Sequence, residues 1–221
     1  MQGEHHTFLF ADLAGFTALT EAHGDREAAD LVGEFVAEVR ALLDSHAARE
    51  VKTIGDALMI VGADAAESIR LGLRVAHEIG DCHGMPSVRV GMHTGPAVER
   101  DGDFIGATVN VAARISATAG GSQVVLSAAT GQAAGSMADT TLRALGVHAF
   151  KNVREPLTLY EARWSSETTG GEGLPIDPVC RMAVDPIGES GRITVAGTEF
   201  HFCSLECARA FTSDPARYTT P

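Results

Sequence analysis

The sequence predicts an α+β fold in which helices cover an antiparallel sheet, and three observations predict it. A short apolar run, His6 to Asp12, comes first. Apolar residues at helical spacing follow it, and then two apolar runs bend around Ile54-Gly55-Asp56. The same sequence of signals then returns to a helix and an alternating strand.

In chain order, His6–Asp12 reads as a short buried strand. Val32, Phe35, Val36, Val39, Leu42 and Leu43 recur at helical spacing and predict an amphipathic helix. Val51 to Val61 predicts a hairpin. Ile69, Leu73, Ala76 and Ile79 mark a second helix. Val88, Val90 and Met92 alternate as in a strand that Thr94-Gly95-Pro96 ends. The order β-α-β-β-α-β is a ferredoxin-like split βαβ core, with the helices on one face of the sheet. Val147–Phe150 and Leu157–Ala162 add two short strands.

Composition then changes. Ser165 to Gly173 contains no apolar residue, so 165–175 is expected to be a flexible linker between a first domain, 1–164, and a second, 176–221. The second unit is small enough that a core alone rarely suffices, and it holds three of the four cysteines. A metal or a partner contact is expected to support it.

The formal net charge of −12 argues against nucleic acid and anionic membranes as partners. No segment is apolar for long enough to span a bilayer, and the N-terminus lacks a secretory pattern. The expectation is a cytoplasmic protein with cysteines present as thiols or metal ligands.

Two carboxylates stand out. Asp12 alone reads equally well as a helix N-cap, and Asp56 alone as a turn residue. As a pair they suit Mg²⁺, which takes one or two protein carboxylates and completes its shell with phosphate oxygens. Lys52 lies four residues before Asp56, and Asp103 sits in an Asp-Gly-Asp turn. Asn110 and Arg114 are one helical turn apart and leave one face of a largely apolar helix, where they need partners. Lys151 follows an apolar strand.

These residues, in this order and over roughly residues 5–163, resemble the class III nucleotidyl cyclases. The resemblance implies the cyclase core and two Mg²⁺ or Mn²⁺ per active site, held by Asp12 and Asp56. It implies that Lys52 and Asp103 read the base. Adenine offers N1 to Lys and its N6 amino group to Asp, so the pair argues for ATP over GTP. It further implies that Asn110 orients the ribose, Arg114 stabilises charge on the phosphate, and Lys151 contacts the terminal phosphates. Asn152 stands where the family usually has Gly. Family sites lie between two catalytic domains, so a head-to-tail homodimer with two shared sites is implied. One protomer would give the metal aspartates and the other the remaining five residues. The alternative is a catalytically silent scaffold or sensor on the same fold.

The C-terminal unit, with Asp177-Pro178-Val179-Cys180-Arg181-Met182 and Phe202-Cys203-Ser204-Leu205-Glu206-Cys207, resembles the YHS domain. It departs at Arg181, where Gly is usual, and at Phe200, where Tyr is usual. Cys180, Cys203 and Cys207 could hold Zn²⁺ or Cu⁺, with His201 as a fourth ligand. They read equally well as buried small residues. Cys203, at the start of a helix, is expected to be the acidic thiol. The module is expected to regulate the catalytic domain. His5, His6, His93 and the Asp81-Cys82-His83 group match no standard metal spacing and are read as structural or solvated.

Overall fold

The computed structural model describes residues 4–166, 174–187 and 189–219. Most of the expected linker, 167–173, lies outside the described residues. Strand β1 (His5–Leu13) is followed by two helices, α1 (Phe16–His23) and α2 (Asp25–Leu43). The hairpin β2 (Ala48–Ile54) and β3 (Ala57–Gly62) comes next, then α3 (Ala65–Arg74), β4 (Val88–Pro96) and a small hairpin, β5 (Val98–Arg100) with β6 (Asp103–Ile105). Helix α4 (Ala107–Ser116), β7 (Val124–Ser127), α5 (Ala128–Ala134), β8 (Thr140–His148) and β9 (Leu157–Trp164) complete the first domain. The second contains β10 (Gly191–Val195), β11 (Thr198–Phe202), α6 (Leu205–Ser213) and α7 (Pro215–Thr219).

Seven strands form one sheet in the order β2-β3-β1-β4-β7-β9-β8. Its first four strands are the split βαβ core. The sheet is mixed rather than antiparallel, because β7 pairs parallel to β4. A parallel neighbour needs a long crossover, and α4 supplies it. Helices also cover both faces, not one. Leu9, Ala11 and Leu13 of β1 bury with Phe35, Val39, Ile69 and Leu73 of α2 and α3. Phe8 and Phe10 point the other way and bury with Met59, Phe104 and Ala112 of α4. A strand that is apolar at successive positions must be covered on both sides.

Helix α4 lies unusually close to the sheet. A Cβ on Gly91 of β4 would stand 2.0 Å from the Ser116 backbone nitrogen, so only glycine permits this seat. Strand β8 starts seven residues before the expected Val147 and is mostly exposed, so it offered no buried alternation to read. Phe150 lies in the turn after it.

The second unit does not keep a separate core. Val179, Cys180, Met182, Phe202, Cys207 and Phe211 form one buried cluster with Leu19 of α1 and Ala28 of α2. Backbone bonds add to this: Ser87 N–H donates to Arg181 O, Gly84 N–H to Ala183 O, and Ala183 N–H to Met85 O. The partner contact expected for so small a unit is thus the first domain itself. Among the described residues, no helix is long and apolar enough to cross a membrane.

Gly91→Ala is expected to destabilise the chain by about 1–3 kcal/mol, because backbone rather than a flexible side chain must give way. Gly33→Ala, on α2 with open space around it, should instead stabilise by about 0.5–1 kcal/mol. Urea denaturation of the two variants checks both signs.

Candidate active site

Asp12 is set by strand register. It lies opposite Ala57 on β3 and opposite Arg89 on β4. The pairing with Ala57 places the preceding turn, Gly55-Asp56, beside it, and Gly55 takes a positive φ of 63° to make that turn. Asp12, Leu13, Gly15, Phe16, Thr17, Asp56 and Arg89 line a cavity of about 310 Å³. The cap of α1 is Gly15, with no side-chain capping bond, so Asp12 is not an N-cap.

The electrostatics of this cavity suit a divalent cation. Arg89 donates to Asp12 Oδ2 from Nε at 2.8 Å and from Nη2 at 2.5 Å. Asp56 has its pKa pushed up to about 6, first by burial and then by the Asp12 carboxylate. Two carboxylates at close quarters share a deficit of positive charge that a hard, oxygen-seeking ion would supply. Arg89 was not singled out from the sequence. A charged residue between the buried Val88 and Val90 was the available signal.

Lys52 and Asp103 meet. A bulge in β2 between Glu50 and Lys52 bends the strand, and Lys52 Nζ donates to Asp103 Oδ2 at 2.5 Å. Asp103 Oδ1 accepts from the Phe104 amide at 2.8 Å, which fixes the carboxylate. The Lys52 ammonium holds the Asp103 carboxyl below its usual range. Phe104 anchors the β5–β6 hairpin by packing edge-on against Phe8 at 5.1 Å. Both members of the pair stay part exposed and retain free hydrogen-bonding capacity.

Asn110 and Arg114 share a groove of about 460 Å³ with Ala107, Val111, Asn152, Val153 and Arg154. Lys151 is exposed beside this groove and is not among its lining residues. Asn152 takes φ of 64°, the left-handed turn in which Asn substitutes for Gly. Arg154, unremarked in the sequence, lines the groove together with Arg114. The groove and the Asp12–Asp56 cavity have no lining residue in common.

The three C-terminal thiols also converge. Cys180 Sγ lies 3.3 Å from Cys203 Sγ, which lies 3.8 Å from Cys207 Sγ. The nearby imidazole is that of His23 on α1 and not that of His201. His201 instead pairs with Glu189 and Glu199. The acidity expected of Cys203 belongs to the thiols as a set. Hydrogen bonds from Cys180 and Cys203 draw Cys207 below the usual thiol range. For Cys203 the bond with Cys180 lowers the pKa, while Cys207, burial and Asp177 raise it. All four cysteines are free. His93 is a structural residue: its Nδ1 lies 2.7 Å from Ser127 Oγ, and burial pushes its pKa down to about 4.

The geometry has recognisable counterparts. Residues 2–153 match the family profile of the adenylate and guanylate cyclase catalytic domain, and residues 176–221 match that of the YHS domain. An adenylate cyclase of Streptomyces griseus is 37% identical over 50% of this chain and 28% of its own length. A pH-sensitive adenylate cyclase of Mycobacterium tuberculosis is 30% identical over 77% of this chain and 44% of its own. The chain therefore spans less than half the length of these two relatives. The crystal structure of the adenylyl cyclase CyaB from P. aeruginosa superposes with a TM-score of 0.64 at 22% identity, over 75% of this chain and 97% of that one. The fold, the order of the site residues and the matched profiles agree: the chain belongs to the class III adenylate and guanylate cyclase family and carries a YHS domain at its C-terminal end.

Proposed function

We propose that the chain converts ATP into 3′,5′-cyclic AMP and pyrophosphate at sites shared between two copies of itself. The observation that carries the choice of ATP is the Lys52–Asp103 ion pair. Its ammonium donates to adenine N1 and its carboxylate accepts from the N6 amino group. Guanine presents a carbonyl and an N–H at those positions and leaves both groups facing a like partner. Relatives named adenylate cyclases support the same choice.

In the reaction a bond forms between the ribose 3′ oxygen and the α-phosphorus, the bond from that phosphorus to the β-phosphate oxygen breaks, and the hydroxyl proton leaves. Asp12 and Asp56 would hold two Mg²⁺ or Mn²⁺, which when bound lower the pKa of the hydroxyl and neutralise the triphosphate. Asn110 orients the ribose. Arg114, one turn further along α4, stabilises charge on the phosphate as the transition state develops. Lys151, with Arg154 beside it, meets the terminal phosphates.

Sharing between copies rests on two features. The metal cavity and the Asn110–Arg114 groove are separate within one chain. Next to Asp103, Val98 and Ile105 pair across the β5–β6 hairpin and are 63% and 61% exposed. Apolar residues so exposed beside a half-built site suit burial against a second, head-to-tail copy. None of the seven site residues is missing, which favours turnover over a silent scaffold. Four free thiols fit a reducing compartment such as the cytoplasm.

ATP should be cyclised faster than GTP. Each unpaired polar group costs about 1–3 kcal/mol, so discrimination should be roughly 5- to 150-fold per mismatched group. Purified protein assayed with each nucleotide and Mn²⁺ tests this, and equal rates would remove the assignment of Lys52 and Asp103.

Asp56→Ala and Asn110→Ala should each be nearly inactive alone and should recover activity when mixed, because one of the two heterodimer sites is then intact. No recovery, with mixed dimers confirmed, would mean a site built within one chain.

Arg89 acts as the counter-charge of Asp12 in the absence of an ion. Arg89→Ala should lower metal-free stability by about 1–3 kcal/mol by leaving the two carboxylates facing each other. Mn²⁺ should recover most of that loss and should raise the melting temperature of the variant more than that of the parent. Equal shifts would show that Arg89 and the ion do not compete for Asp12.

A further inference from the structure

The C-terminal thiols do not stand alone, and their neighbours are those of a metal centre. Cys203 Sγ lies 3.5 Å and Cys207 Sγ 3.8 Å from His23 Nε2. The ligand atoms of His23, Cys180, Cys203 and Cys207 all fall within 4.8 Å of one another. Around a tetrahedral Zn²⁺, bond lengths of about 2.3 Å to sulfur and 2.05 Å to nitrogen set S···S edges near ~3.8 Å and S···N edges near ~3.6 Å. Four of the separations, 3.3 and 3.8 Å between sulfurs and 3.5 and 3.8 Å from sulfur to nitrogen, scatter about those edges.

The surroundings fit as well. His23 Nδ1 lies 3.0 Å from Glu27 Oε1, one turn on from it, so the carboxylate accepts a hydrogen bond from Nδ1–H, holds the proton on that nitrogen and leaves Nε2 free to ligate. Asp177 is fully buried and joins the two ligand-bearing segments. Its Oδ1 accepts from the Val179 and Cys180 amides, and its Oδ2 accepts from the Cys203 amide. Cys180 and Cys207 are fully buried, and the His23 side chain is 9% exposed. A closed set of three sulfurs and one nitrogen is a structural site, and it selects a soft ion that the oxygen-lined Asp12–Asp56 cavity does not.

We propose that His23, Cys180, Cys203 and Cys207 bind one tetrahedral Zn²⁺-type ion that clamps the C-terminal module onto α1 of the catalytic domain. His23 precedes Cys203 by 180 residues and belongs to the cyclase domain, so the site exists only when the two domains are docked. The clamp reaches the catalytic metal loop. Gly15, the cap of α1, lies three residues after Asp12, and a Cβ on it would stand 2.5 Å from Arg181 Cγ. Arg181 takes φ of 66° next to the ligand Cys180, a conformation unusual for a side chain of its size. Its aliphatic stem covers the Gly15 turn. Ser87, which donates to Arg181 O, accepts in turn from the Ala14 amide. Ligation of the ion thereby fixes the backbone that follows Asp12, at Ala14 and Gly15.

The test uses the full chain, reduced, stripped with a chelator and titrated with Co²⁺ in excess Mg²⁺. One equivalent of Co²⁺ should give sulfur-to-metal charge transfer and the strong visible bands of a tetrahedral site, and Zn²⁺ should displace it. Glu27→Gln should weaken the ion about 10- to 100-fold, and His23→Ala more than that, with the visible bands shifted. His23→Cys should recover binding with stronger charge transfer, which separates lost ligation from lost folding. Asp12→Asn should leave these bands unchanged. The proposal fails if the parent takes up no thiolate-bound Co²⁺. It also fails if folded His23→Ala keeps the parent's affinity and spectrum, since the ion would then belong to the module alone.

Discussion

One strand register carries the carboxylate half of the candidate site. Asp12 lies between Ala57 and Arg89 because β1 pairs with β3 on one side and β4 on the other. That register cannot drift. Phe8 and Phe10 are buried against α4, and Leu9, Ala11 and Leu13 against α2 and α3, so a slip of one residue would exchange two packed faces. The turn bearing Asp56, the guanidinium on Asp12 and the entry into α1 all follow from the placement of this strand. A polar site at the end of a doubly buried strand thus owes its precision to apolar packing at its other residues.

What was legible in the sequence was local. The first strand, α2, the β2–β3 hairpin and β4 announce themselves by period, and the structure contains each. The parallel β7, the mostly exposed start of β8 and the place of α4 on the second face were not legible, since exposure, a short apolar run and helical spacing do not say which strand or face an element will meet. Within the site, residue type and spacing drew attention to Asp12, Asp56 and Asn110 with Arg114, and the resemblance to the cyclases supplied their expected roles. Arg89 could not, because its meaning depends on which residue lies opposite it in a neighbouring strand. His23 was hidden by the same cause on a longer scale: sequence spacing pointed to His201, whose carboxylate neighbours Glu189 and Glu199 hold it elsewhere.

The small C-terminal unit illustrates how size dictates docking. Its aromatic cluster, Phe200, Phe202, Phe211 and Tyr218, is too small to shield its own thiols, and Leu19 and Ala28 close the gap. Burying Asp177 among these groups raises its pKa, first through desolvation, and its three amide partners offset that cost. The family departure at Arg181 acquires a physical role here. Side-chain cover over Gly15 is gained in exchange for a left-handed backbone at Arg181.

The β2–β3 hairpin holds Lys52 on one strand and Asp56 in its turn, joined by continuous ladder pairing from Lys52 to Ala57. A rigid hairpin moves as one body, so under the proposed roles a tilt of the base-reading Lys52 also tilts the metal-holding Asp56. Substitutions that retune nucleotide choice at Lys52 would then act on ion geometry as well. Drift in specificity would pass through states of altered metal preference, a mechanical pleiotropy written into the five residues from Lys52 to Asp56.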